Sequence, residues 1–185
     1  GGFTKGCKIY NNTFLKIPYQ GTYGGDGGWD FAIEIFRSQG MEIYNNTSQG
    51  SFDFNHDWDV DPAYSYNLWI HDNTISQPAL SNFSESGIIF EVEARNVIVE
   101  RNTIYNVNWG VILSVLGTST GFKNFVIRNN LMYNLGKNGG NGGNGTGVGS
   151  FSRDGFNYYQ FDSLRIYNNT ITAASGNAPY YGIRI

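Results

Sequence analysis

The chain has a single cysteine, Cys7, so no internal disulfide framework can staple its fold. A lone thiol of this kind is expected to be buried and to act as a small hydrophobe. Charged residues make up only 15% of the sequence, the formal net charge is −3, and no basic cluster occurs. That balance argues against nucleic acid or an anionic membrane as partner. No apolar run approaches the roughly 20 residues that a membrane span needs. The first residues, Gly1-Gly2-Phe3-Thr4-Lys5, lack the apolar core of a signal peptide. Either export is encoded upstream of this segment or the chain is not exported. Helix-period segments with caps are missing throughout.

What is present is a repeat. Hydrophobic residues form 40% of the 185, aromatics 16%, and there are 25 glycines, a composition suited to strands and tight turns. One motif recurs six times, as Cys7-Lys8-Ile9-Tyr10-Asn11-Asn12-Thr13-Phe14 and again as Met41-Glu42-Ile43-Tyr44-Asn45-Asn46-Thr47. The later copies centre on Asn73, Asn102, Asn130 and Asn169. The steps between these asparagines are 34, 27, 29, 28 and 39 residues, so the outer copies carry insertions. Within each copy apolar and polar residues alternate, the period of a strand with one inward face. Asparagine tolerates left-handed backbone geometry and suits the bend that follows. With rungs stacked about 4.8 Å apart, equivalent amides can hydrogen-bond from rung to rung as an internal ladder.

These repeats resemble the parallel β-helix repeats of the pectate-lyase superfamily, an apolar strand followed by Asn-Asn, Thr and an aliphatic residue. The resemblance implies an all-β fold, a right-handed parallel β-helix of about six rungs. It covers residues 1–185 as one segment, with inserted loops near 18–30, 55–66 and 136–149. A second strand family precedes the Asn turns, as in Phe31-Ala32-Ile33-Glu34-Ile35, Ser51-Phe52-Asp53-Phe54 and Gly87-Ile88-Ile89-Phe90-Glu91-Val92-Glu93. Each rung therefore has at least two strands. The last residues, Gly182-Ile183-Arg184-Ile185, begin another strand with no polar cap after it. The sequence thus reads as an excerpt of a longer chain, and uncovered end rungs predict end-to-end self-association.

The alternation of the second family turns Glu34, Asp53, Glu91 and Glu93 away from the lumen. In aligned register they form a column of like charges, which is costly unless a cation or arginine neutralises it. Two readings are open: a calcium-binding or catalytic acidic cleft, and a solvated face of adaptable side chains. Around Asp53 the sequence is densest in polar groups, with His56, Asp57, Asp59 and Asp61. An EF-hand is excluded there, because Pro62 replaces the required Gly and Leu68 the terminal Glu. His56 among carboxylates could act as a general acid or base, or simply be solvated.

Glu91-x-Glu93-x-Arg95 is similar in part to β-helix polysaccharide lyases, in which paired outward glutamates hold calcium against a substrate carboxylate while Lys and Arg transfer protons. Arg95 is available here; the nearest lysine, Lys123, is one rung on. The Asp-Asp and Arg-x-Lys signatures of β-helix polygalacturonases are absent. Trp29 and Trp58 fall in inserted loops beside the acidic stretch and suit sugar rings, having an apolar face and a polar tip. Ordinary loop anchoring is the rival role. The Gly-rich run from Gly136 to Gly147 is neither a phosphate loop nor a calcium-binding nonapeptide array. Glycosylation sequons occur at Asn11, Asn45, Asn46, Asn82, Asn144 and Asn168, most of them at the Asn turn, whose structural role accounts for them.

The sequence thus predicts a secreted or cell-surface β-helix that binds an acidic polysaccharide and cleaves it by calcium-assisted β-elimination. Arg95 and His56 are the candidate catalytic residues and Trp29 and Trp58 the substrate contacts. Glu34, Asp53, Asp57, Glu91 and Glu93 are the candidate calcium ligands. A structural or adhesive solenoid segment, and a carbohydrate-binding module without catalysis, are the alternatives.

Overall fold

The computed structural model describes residues 4–15, 31–54, 65–77, 86–115, 121–136, 145–152, 161–173 and 181–185. They form six rungs. The first holds β1 (Thr4–Lys5), β2 (Lys8–Tyr10), β3 (Thr13–Phe14) and β4 (Phe31–Ile35). The second holds β5 (Ser38–Gln39), β6 (Glu42–Tyr44), β7 (Thr47–Ser48) and β8 (Ser51–Phe54). The third consists of β9 (Ser65–His71), β10 (Thr74–Ser76) and β11 (Ser86–Glu91), and the fourth of β12 (Ala94–Glu100), β13 (Thr103–Tyr105) and β14 (Trp109–Val115). The fifth has β15 (Phe122–Arg128), β16 (Leu131–Leu135) and β17 (Thr146–Ser152). The sixth has β18 (Phe161–Tyr167), β19 (Thr170–Ala173) and β20 (Tyr181–Arg184).

Equivalent strands pair in parallel from rung to rung. The result is three sheets running the length of a parallel β-helix. Sheet A follows β1-β5-β9-β12-β15-β18 with β2 and β6 beside it; sheet B runs β3-β7-β10-β13-β16-β19; sheet C runs β4-β8-β11-β14-β17-β20. Each rung thus has a strand in three sheets where two strand families were legible in the sequence. The margins of two expected insertions are strand, since β9 starts at Ser65 and β17 at Thr146.

The lumen is filled by columns of like residues. Ile43, Ile70, Val99 and Ile127 of sheet A are fully buried, as are Phe52, Phe54, Ile88, Phe90, Val111 and Leu113 of sheet C. Phe54 stacks on Phe90 at 4.8 Å, and Phe90 meets Phe125 edge-on at 4.8 Å. Cys7 stands in the column that continues as Met41, but it is exposed rather than buried, because its rung has a described neighbour on one side only.

The asparagine ladder forms as the repeat predicts. Nδ2 of Asn12, Asn46, Asn73, Asn102 and Asn130 each donates to Oδ1 of the next at 2.9–3.1 Å. The same Oδ1 also accepts the backbone N–H of the previous asparagine, at 3.0 Å in every case. The residue before each ladder asparagine is left-handed: Asn11, Asn45, Asp72, Arg101, Asn129 and Asn168 all have φ between 53° and 57°. That geometry turns the chain from sheet A to sheet B in two residues.

Candidate functional site

The three corners of the solenoid differ in kind. Between sheets A and B every rung uses the same two-residue turn. Among the stretches between the described strands, every one longer than three residues adjoins sheet C instead. Residues 15–30, 77–85, 136–145 and 174–180 enter it from sheet B, and 55–64, 116–121 and 153–160 leave it for sheet A. Rigid scaffolds place variable, function-bearing segments in this way.

The sequence-predicted residues distribute along this side. Glu34 of β4 and Asp53 of β8 are register partners on adjacent rungs, with Glu34 exposed and Asp53 fully buried. The column then changes character, because Asp53 pairs with Ile89 and Ile89 with Ile112. Glu91 lies two residues further along the same outer side, opposite Ser114. Two residues of strand amount to about 7 Å. One continuous column of carboxylates is therefore not formed. Nor is the face a solvated one at these positions, since Glu91 is 2% and Glu93 1% exposed. Arg95 Nε donates to Glu93 Oε1 at 2.7 Å. His56, Asp57, Trp29 and Trp58 lie outside the described residues.

The turn that carries the two glutamates is strained. Val92, between Glu91 and Glu93, has φ 78°, and its N–H donates to the Ser114 carbonyl at 3.0 Å. The other left-handed residues described are Gly, Asn, Asp, Arg and Ser. A β-branched residue in this region is an outlier that costs on the order of 1–3 kcal/mol and tends to mark functional sites.

A second polar constellation, not singled out from the sequence, occupies the outer side of sheet A. Register stacks Tyr10, Tyr44, His71, Glu100, Arg128 and Tyr167 in one column. Tyr10 and Tyr44 stack at 5.0 Å and Tyr44 and His71 at 5.2 Å, each pair within 3° of parallel. Centroids spaced by about one rung leave these ring faces against one another, so the column turns edges, not faces, to solvent. His71 contacts Asp72 Oδ2 through Nδ1 at 2.6 Å and Glu42 Oε1 through Nε2 at 3.2 Å. Glu100, 3% exposed, accepts hydrogen bonds from Trp69 Nε1 at 2.9 Å and Arg128 Nε at 2.6 Å, and pairs with Arg101 at 2.6 Å.

These contacts move the titrations. The Lys8 ammonium, hydrogen-bonded to Glu42, holds that carboxyl below its ordinary range against the opposing effect of burial, and Lys8 rises in turn. Arg101 does the same to Asp72. Burial pushes Glu100 up, but the hydrogen bonds from Arg128, Arg101 and Trp69 together outweigh it, so the group stays depressed. Aligning the repeats on their second asparagine puts Tyr10, Tyr44, His71, Glu100, Arg128 and Tyr167 at one position, so the signal was in the sequence, read down the copies rather than along them.

Among the described residues no three of His, Cys, Asp and Glu converge in a metal-holding group. Glu34 and Asp53 supply the hard oxygen donors that calcium takes, as part of the six to eight it requires. No protein-family model, curated protein or solved structure matches the chain.

Proposed function

We propose that the chain is part of an extracellular carbohydrate-active β-helix that binds an acidic polysaccharide along sheet C and cleaves it by β-elimination, as its resemblance to the pectate-lyase superfamily implies. The observation that carries this reading is the Glu91-Val92-Glu93 turn. Backbone strain there lies between two buried glutamates, the second of which pairs with Arg95, on the side of the solenoid where the long connections between described strands attach. Glu34, Asp53 and Asp57 are the residues that would hold calcium, with Glu91 and Glu93 further along. A cation at such a site neutralises a substrate carboxylate and makes the neighbouring carbon acid easier to deprotonate. Arg95 would stabilise the negative charge that develops on the substrate carboxylate, His56 is the candidate base that takes the proton, and Trp29 and Trp58 would carry the sugar rings.

The test is incubation with polyuronates, with and without calcium, while following absorbance of the unsaturated product. Calcium-dependent turnover that falls by roughly 100-fold or more in Arg95→Ala supports the reading. No binding and no new absorbance with any acidic glycan would sink it. A structural or adhesive solenoid is the second reading, favoured by the unbroken amide ladder through all six rungs. It predicts self-association without turnover.

A further inference from the structure

We propose that the outer side of sheet A, in rungs four to six, is a calcium-independent anchoring track for an acidic polysaccharide, separate from the sheet C side. The first ground is charge distribution. The outward positions of sheet A and the turns after them carry seven cations, Lys5, Lys8, Arg95, Arg101, Lys123, Arg128 and Arg165. Against them stand four carboxylates, Glu42, Asp72, Glu100 and Asp162, a balance of +3. The rest of the chain has the remaining 5 of 12 cations and 11 of 15 carboxylates, which is −6 and completes the formal −3. Among the described residues that remainder is Arg37 and Arg184 against Glu34, Asp53, Glu91 and Glu93, a balance of −2, so the described part of the solenoid is polarised across its width.

The second ground is which cations remain available. Lys8 is engaged by Glu42, Arg95 by Glu93, and Arg101 by Asp72 and Glu100. Among the described residues, Lys123 and Arg165 have no ion-pair partner. Asp162, the register partner of Lys123, accepts a hydrogen bond from Ser163 Oγ at 3.1 Å instead. Arg165 is exposed, and Arg128 stands diagonal to it, held by Glu100 on one side and the Tyr167 hydroxyl on the other. One rung and two residues separate the backbone positions of Arg128 and Arg165, roughly 8 Å.

That spacing selects the ligand. Duplex nucleic acid carries a charge about every 1.7 Å, too dense for a few separated cations on a chain of net negative charge. A uronate-bearing glycan has at most one charge per sugar, and its hydroxyls match the polar edge of Tyr167, which is 40% exposed. The occupant's class rests on the acidic-polysaccharide reading above, whereas the calcium independence of this track separates the two experimentally.

The experiment is titration of the chain with polygalacturonate in excess chelator, repeated at about 0.5 M salt, where exposed charges are largely screened. Chelator-resistant binding that salt weakens is expected, and Arg165→Glu and Lys123→Glu should each weaken it roughly three- to tenfold. Arg184→Glu makes the same charge change on an exposed residue of sheet C and should leave it within about twofold. Equal loss in all three variants would show a net-charge effect and overturn the track. Binding that appears only with calcium would overturn it too, while leaving the sheet C reading intact.

Discussion

The corner between sheets A and B and the flanks of sheet C are built on opposite terms. At the A–B corner six copies of one two-residue turn place an amide in a ladder, and no rung departs from that length. Along sheet C the stretches between the described strands run from two residues, as at Val92 and Glu93, to sixteen at 15–30. Where a side chain must reach its equivalents on both neighbouring rungs, an inserted residue breaks contacts on two sides. Where a connection only has to return the chain to the next strand, added length costs little, about 0.6 kcal/mol per doubling. The solenoid therefore stores its repetition at one corner and its variety on the other side.

The comparison can be broken most sharply at Asn102. Its Nδ2 donates to the carbonyls of Ile70 and Glu100 and to Asn130 Oδ1, and its Oδ1 accepts from the Asn73 amide and backbone N–H. Asn102→Ala leaves several of these buried groups without partners, so a loss of about 3 kcal/mol or more is expected from denaturant melts. A loss under about 1 kcal/mol would show the ladder to be a by-product of stacking.

A smaller effect separates two positions at the entry to sheet C. Gly87, Gly110, Gly147 and Gly182 occupy one column there. A Cβ on Gly110 would meet Met132 Sδ at 2.5 Å and the Gly147 carbonyl, whereas on Gly182 it would meet nothing within 4 Å. Gly110→Ala should cost about 1–3 kcal/mol and Gly182→Ala nearly nothing. Comparable losses at both sites would mean that the backbone, not the packing of sheet B side chains behind it, demands glycine.

The mildest expectation concerns pH. The carboxyls of Glu42, Asp72 and Glu100 are depressed in the folded chain, so the unfolded chain takes up their protons first as pH falls. Their contribution is complete above about pH 5, and it declines through and below about pH 4. The raised Lys8, Arg101 and Arg128 keep theirs throughout that interval and lose it only above about pH 10. Thermal melts should fall between pH 5 and 3, and less steeply in Glu100→Gln; a melting temperature flat over that interval would contradict the assignment.

How legible these features were depended on whether their chemistry repeats. The ladder could be read directly, because the same amide recurs in every copy and only a stacked arrangement uses it. Sheet B was not counted as a separate layer, since strands as short as Thr47–Ser48 are too brief to show a period. The offset of Glu91 from Asp53 was hidden by register: Phe52 pairs with Ile88, a match that connections of unequal length conceal in the linear sequence. The network around Glu100 is hidden in the linear sequence for another reason. Its column changes from tyrosine to histidine, acid and arginine, so its members look unrelated until they are stacked.

The ladder also has a direction. Within it every amide-to-amide bond runs from the earlier asparagine to the later one, while each interior amide also reaches back to a carbonyl of the rung before it. One side chain thereby ties three successive rungs, and none of those rungs can leave its place without opening bonds in the other two. Melting should then proceed in blocks of at least three rungs, and the vectorial order of the bonds means that each new turn of chain, arriving during synthesis, brings the acceptor that its predecessor lacks.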